Sequence, residues 1–286
     1  MKILDGEYGD STLLDSKSSS EQKVIKISAG DGPVSQVIPD PDFIQNGDFT
    51  RDGHDLVLRN AEGQTVVIKN YFLDDTPPVL TDGHGNALTP KLVNSFLDRG
   101  SENQFAQGFG KSDISPVGTV SEISGSATVT RSDGSTESLT AGSPIFEGDV
   151  VRTEAEGAVN IEFSDQSSFS ISEDAQLAID EYVYDPQTSE GSSNFSFLKG
   201  LFVYTSGLIG QSDPDEVNIE TPVGSIGIRG TTVLGNLKTS EFTVTEGGIV
   251  IDNGFQQVTM TQAFQTVQVS GFGGEIVDLG VADPVQ

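Results

Sequence analysis

The chain contains no cysteine. Disulfides, thiolate metal sites and a cysteine nucleophile are therefore excluded. No segment approaches the roughly 18 consecutive apolar residues that a membrane helix needs, so membrane insertion is not expected. Basic residues are scarce. Fifteen Lys and Arg stand against 43 Asp and Glu, giving a net charge of −28 and a pI near 4.1. A surface of that sign repels phosphate, which excludes nucleic acid and disfavours anionic membranes. It is compatible with extracellular solubility and with cation binding. The opening stretch "MKILDGEYGDSTLLDSKSSSEQK" lacks the apolar core of a secretory signal. Residues 1–22 are polar and serine-rich and read as disordered.

What is present points to β-structure. Thirty-three glycines and a hydrophobic content of 35% fit exposed strands with many turns and do not fit a helical bundle. A length of 286 residues suffices for one large β domain or two smaller ones. Residues 23–100 read as a small β-rich region. "KVIKI" is a short strand, and "HDLVLRNAEGQTVVIKNYF" is a hairpin in which Leu56 and Leu58 alternate, residues 60–63 turn, and Val66 and Ile68 return. In "LTPKLVNSFLDRG", Thr89 suits a cap, Pro90 the first helical position and Gly100 the stop, which predicts one short helix near residues 89–98. Residues 101–116 read as a linker. Beyond them turn signals recur every 8–12 residues or so, the spacing of an all-β architecture. Val159, Ile161 and Phe163 alternate, as do Phe169 and Ile171, then Leu177 and Ile179. In "NFSFLKGLFVY", Phe195 and Phe197 precede Gly200, and Leu201 and Val203 follow. Residues 239–286 add further alternating strands, and no fixed repeat period appears.

"IETPVGSIGIRGTTVLG" places four glycines, a proline and one arginine in an otherwise β-branched run. Val217 and Ile219 alternate as a strand, and Thr221-Pro222 ends its pairing because proline lacks the donor. Gly224, Gly227 and Gly230 permit bends or close backbone approach between short strands, with Ile226 and Ile228 facing a core. Arg229 is expected to pin the structure by bonding carbonyls that the bends leave unpaired, or to point to the opposite side.

These residues carry a resemblance. "ETPVGSIGIRGT" resembles the signature that ends the FecR domain, a module of bacterial envelope proteins. "GTVSEISGSATVTRSDG" resembles its opening strands. "LTAGSPIFEGDVVRTEAEGAVNIEFSDQSSFSI" resembles its middle, with Gly142, Gly148, Asp149 and Thr153 in place, and "SFLKGLFVY", with Gly200, resembles the strand pair before the signature. The likeness covers about residues 117–235. It implies a structural role for those residues and for Thr221, Pro222, Gly224, Gly227, Arg229, Gly230 and Thr231. The namesake proteins regulate iron uptake through a cytoplasmic anti-sigma segment, a membrane helix and a periplasmic part that contacts a transporter's signalling domain. The first two have no counterpart in this sequence. Residues 23–97 faintly resemble the leading regions of large bacterial adhesins. After Lys238 there is no Lys or Arg, while Glu241, Glu246, Asp252, Glu275, Asp278 and Asp283 continue. Such an end resembles the uncleaved C-terminal signals of type I secretion substrates.

Catalysis needs a constellation that the sequence does not offer. The two histidines, His54 and His84, stand in turn-like sequence and read as solvated rather than metal-bound. There is no nucleophile elbow and no phosphate loop. Asp213, Asp215 and Glu216 lack the spacing of a twelve-residue calcium loop and read as a solvated turn, leaving calcium a weak candidate. The expected fold is mainly β: an irregular rolled or solenoid-like FecR-like domain over residues 117–238, a C-terminal β extension over 239–286, and the small N-terminal region. No cofactor is expected. The expected function is a non-catalytic envelope or cell-surface binding and scaffold module that recognises protein or glycan through strand edges and turns. One alternative is a signalling component working with a separate membrane partner. Another is a polysaccharide-acting enzyme using paired carboxylates. The expected location is extracellular or at the cell surface, or else periplasmic, with an export address at the C-terminal end.

Overall fold

A computed structural model describes residues 22–26, 36–38, 40–98, 115–213 and 215–281. The expected disordered N-terminus and most of the expected linker lie outside the described residues. The chain is mainly β, as its alternation predicts.

The N-terminal region holds two small sheets. Gln22–Lys26, Thr65–Lys69, Asp55–Arg59, Asp48–Asp52 and Leu97–Asp98 form one, in that spatial order. Its central hairpin pairs Leu56 with Ile68 and Leu58 with Val66, and all four are buried. The second sheet joins Gln36–Val37, Leu80–Thr81 and Ala87–Leu88. The helix Pro90–Phe96 starts where its cap requires: the Leu92 amide donates to Thr89 Oγ1 at 3.3 Å. It buries Leu92, Val93 and Phe96, and the chain then turns extended at Leu97. Two shorter helices, Asp42–Gln45 and Leu208–Ser212, carry no periodicity that a sequence reading can detect.

The rest of the described chain forms one large, almost wholly antiparallel sheet, curled into half a barrel. Gln176–Tyr184 and Gly191–Lys199 form one of its long hairpins. Val217–Thr221 runs parallel to Gly191–Lys199 and antiparallel to Gly224–Asn236. Gly224–Asn236 therefore sits at the centre, with Leu201–Thr205 continuing one flank and Glu241–Asp252 covering the other. The curl wraps an aromatic core. The Phe169 ring lies 5.4 Å from Phe195, 5.3 Å from Phe202 and 5.5 Å from Tyr204. Each such pair contributes about 0.5–1.5 kcal/mol beyond area burial. After Gly200 it is Phe202 and Tyr204 that point inward, while Leu201 and Val203 stay half-buried, because their strand pairs Phe169 with Tyr204 and Ile171 with Phe202.

A second core lies between the N-terminal region and the outer face of this sheet. Phe49, Leu92 and Phe96 belong to it, and so do Val150, Ala178 and Leu198 of the large sheet.

Candidate functional site

The signature run folds as a hairpin. Thr221 pairs with Gly224 and Ile219 with Ile226, so Pro222 and Val223 form a two-residue turn. Thr221 is fully buried; its hydroxyl donates to the Gly224 carbonyl at 2.6 Å and accepts from the Val223 amide. The Pro222 carbonyl accepts from the Ala87 amide at 2.8 Å, tying the hairpin tip to the N-terminal region.

The expectation of short strands separated by glycine bends needs correction. Gly224–Asn236 is one continuous strand whose register against Glu241–Asp252 shifts between Arg229 and Thr232 and again between Thr232 and Val233. Gly230 sits at this bulge with φ 58°, and the buried Thr231 beside it donates its hydroxyl to the Glu246 carbonyl. Gly224 has φ 149°, and a Cβ there would lie 2.6 Å from the Asp252 carbonyl oxygen. Gly227, by contrast, occupies regular strand, and a Cβ there would have its nearest neighbour 3.8 Å away. Arg229 does not bond carbonyls. It lies on the outer side, 49% exposed, and its Nη2 reaches Asp215 Oδ1 at 3.3 Å. The bulge carbonyl at Glu246 is served by Thr231 instead, which removes the need for an arginine there.

The upstream residues sit in turns that feed the sheet. The Gly142 amide donates to Val120 O and the Gly148 amide to Ile179 O. Asp149 is 1% exposed, and its Oδ2 accepts from the Phe146 amide at 2.8 Å and from Arg131 Nη1 at 2.6 Å. Arg131 also donates to Glu137 Oε2 and to the Pro144 carbonyl, and its guanidinium lies over the Phe146 ring. Burial pushes the Asp149 carboxyl above its ordinary range, against the lowering influence of the Phe146 amide and Arg131. Burial also works to lower Arg131, but Glu137 and Asp149 outweigh it and raise its pKa. The Thr153 hydroxyl donates to Ser172 O at 2.6 Å and accepts from the Ala175 amide at 2.9 Å, closing the turn between two strands. Gly200 lies against Ala175; a Cβ on it would come within 2.7 Å of the Ala175 Cβ.

Two supports were not singled out in the sequence. Arg131 is one. The other is Asp165, fully buried, whose Oδ1 accepts from Tyr182 Oη and from the Ser167 hydroxyl and amide, while Oδ2 accepts from the Ile209 amide. The Asp165-Gln166-Ser167 run is an Asx-turn pattern that marks such a role locally. Its bond to Ile209 spans 44 residues and leaves no sequence trace.

Polar contacts also join the helix Pro90–Phe96 to the large sheet. Thr89 Oγ1 donates to Glu220 Oε1 at 3.1 Å, Lys91 Nζ to Asn194 Oδ1 at 3.4 Å, and the Ser95 and Ser196 hydroxyls meet at 3.0 Å. Burial raises the Glu220 pKa, opposed by Lys91 and Thr89.

The histidines stay apart from this framework. His84 Nδ1 contacts the Asp82 carbonyl at 2.9 Å, and His54 is exposed. Asp215 is the exposed partner of Arg229. Among the described residues, no group of three or more His, Asp or Glu is placed to hold a metal ion.

Comparison with known proteins gives a partial match. The family model described as FecR protein matches residues 149–250. A solved cell surface anchoring domain is 33% identical, with 22% of this chain and 84% of that one covered, at a TM-score of 0.22. Two structures of a protein described as a putative anti-sigma factor from Parabacteroides distasonis are each 9% identical, with a TM-score of 0.37. The match spans 46% of this chain and 59% of theirs. No curated protein matches. The family match opens at the buried carboxylate Asp149, takes in the signature hairpin and ends in the strand that covers its bulge, so that over residues 149–250 the chain is similar to the FecR family.

Proposed function

We propose that this protein is a non-catalytic component of bacterial envelope signalling, in which the FecR domain recognises another envelope protein. The family match over residues 149–250 carries this reading. It weighs toward the signalling alternative over the surface scaffold that the sequence first suggests. The membrane step is assigned to a separate membrane partner, since no helix among the described residues is long and apolar enough to cross a membrane. Recognition would use turns and exposed side chains on a rigid sheet. Arg229 suits such a contact. Its one ion pair, to an Asp215 side chain that is 80% exposed, is worth little in water and is readily exchanged for a partner's carboxylate.

The proposed location is the envelope outside the cytoplasm. An export address at the C-terminal end, if the chain carries one, would use residues outside the core. Phe242, Val244, Ile249, Ile251, Val267 and Val269 are core positions, which supports looking for it after Val269.

A photo-crosslinking residue at position 229, introduced into the full chain in its native host, tests the proposal. The expected result is a discrete adduct with one envelope protein, lost in competition with unlabelled chain. Adducts confined to cytosolic proteins would overturn it.

A further inference from the structure

Some basic side chains are committed to the fold or to a neighbour. Arg131 is held by Asp149, Glu137 and the Pro144 carbonyl, and Lys69 by Asp55 at 2.5 Å. Two others are not. Arg59 makes no side-chain hydrogen bond and no ion pair among the described residues. Arg152 donates to Thr130 Oγ1 at 3.2 Å, and its nearest carboxylate, Asp48, is 4.0 Å away and 72% exposed.

Both arginines line the same cleft, of about 560 Å3, between the N-terminal five-stranded sheet and the Ala127–Thr130 hairpin of the large sheet. Asp48 is the backbone cross-strand partner of Arg59, and its Oδ1 lies 4.0 Å from Arg152 Nη2. The cleft thus holds two positive charges and one negative in a chain whose net charge is −28. Its floor is apolar, formed by Phe49, Phe96 and Val150, and its walls carry threonine hydroxyls, among them Thr50, Thr65 and Thr136.

These features select a ligand class. A volume in the range of small-molecule sites, about 300–1,000 Å3, at a junction between two structural units suits a compact ligand. Planar guanidinium groups with free donors favour a carboxylate. Threonine hydroxyls can both donate to and accept from a polyol. The acidic remainder of the surface repels a long polyanion. We propose that this cleft binds a short saccharide bearing a single carboxylate, a uronic acid, with Arg59 and Arg152 holding the carboxylate and the threonines holding the ring hydroxyls. The site is independent of the signalling reading and extends the protein's recognition to an acidic sugar.

The test is an NMR titration of the full chain with D-glucuronate, with D-glucose and sulfate as the comparison probes. Glucuronate should shift the amides of the cleft strands and the Nε–H signals of both arginines. Glucose and sulfate should each bind at least tenfold more weakly. Arg59→Gln, at an exposed position, should keep the rest of the spectrum and weaken glucuronate at least tenfold; Arg152→Gln should do the same. Equal shifts with glucose would show that the carboxylate is not read. Equal shifts with sulfate would show that the sugar is not read. No cleft shift at millimolar glucuronate, or unchanged affinity in both variants, would also overturn the proposal. None of these outcomes bears on crosslinking at position 229.

Discussion

Arg131 Nη1 lies 2.6 Å from Asp149 Oδ2, and the two side chains come from opposite ends of a stretch that the chain must fold back on itself. Asp149 holds the Phe146 amide, and Arg131 holds Asp149. The carboxylate is nearly inaccessible, whereas Arg131 has a second partner in Glu137 and a route to water. Removing the arginine should therefore cost more than neutralising the acid. Arg131→Ala strands a buried charge and should destabilise by about 3–5 kcal/mol. Asp149→Asn keeps an acceptor and should cost about 1–2 kcal/mol. Urea midpoints of the two variants check the order.

The same pair fixes a pH sign. Asp149 has a folded-state pKa raised above its unfolded value, so its ionisation weakens the fold as pH rises through the folded pKa. Arg131 opposes that loss only while Asp149 is charged. The penalty of Arg131→Ala should shrink as pH falls through the raised folded-state pKa of Asp149, and should be smallest once pH is below the ordinary carboxylate value, about 4. A penalty that is constant from pH 3 to about pH 7 would show that the arginine acts by packing alone.

Three signature glycines should rank differently. Gly224→Ala drives a methyl group into the Asp252 carbonyl and should be the most damaging. Gly230→Ala has open space, its nearest contact being 3.6 Å away, and is penalised only by φ 58°, about 1–2 kcal/mol. Gly227→Ala should be close to neutral. Thermal midpoints in the order 227, 230, 224, from most to least stable, are the expected result.

Much of this fold is legible along the chain, because alternation reports which residues face a core. The hairpin of Leu56, Leu58, Val66 and Ile68 and the cap of Thr89 and Pro90 are local, and the sequence predicts both. The continuity of Gly224–Asn236 is not local. Glycine between isoleucines reads as a bend, yet strands on both flanks hold Gly227 extended. The choice between the two readings of Arg229 is not local for the same reason: which carbonyls a bulge orphans depends on the partner strand, and here Thr231 bonds Glu246 and Arg229 points to the opposite side. The role of Arg131 needs contact with Asp149, 18 residues away, and composition gives no hint of it.

Glu220 offers a second titration. It is half-buried where the helix Pro90–Phe96 meets the sheet, and its folded-state pKa is raised by desolvation. Stability is retained below the unfolded value, 4.5, and is lost as pH rises through the folded one. Glu220→Gln keeps an acceptor for Thr89 and does not titrate. Its thermal midpoint should gain on the unmodified protein as pH rises from about 4 to 7. A constant offset between the two proteins would mean that Glu220 is not desolvated at this junction.

The signalling role is tested most directly by transcript profiling of the native host with the gene deleted, and again with it restored. The account predicts that one coherent set of envelope-transport genes, under a single alternative sigma factor, changes on deletion and returns on restoration. An unchanged profile, with loss only of surface attachment, would contradict signalling and favour the scaffold.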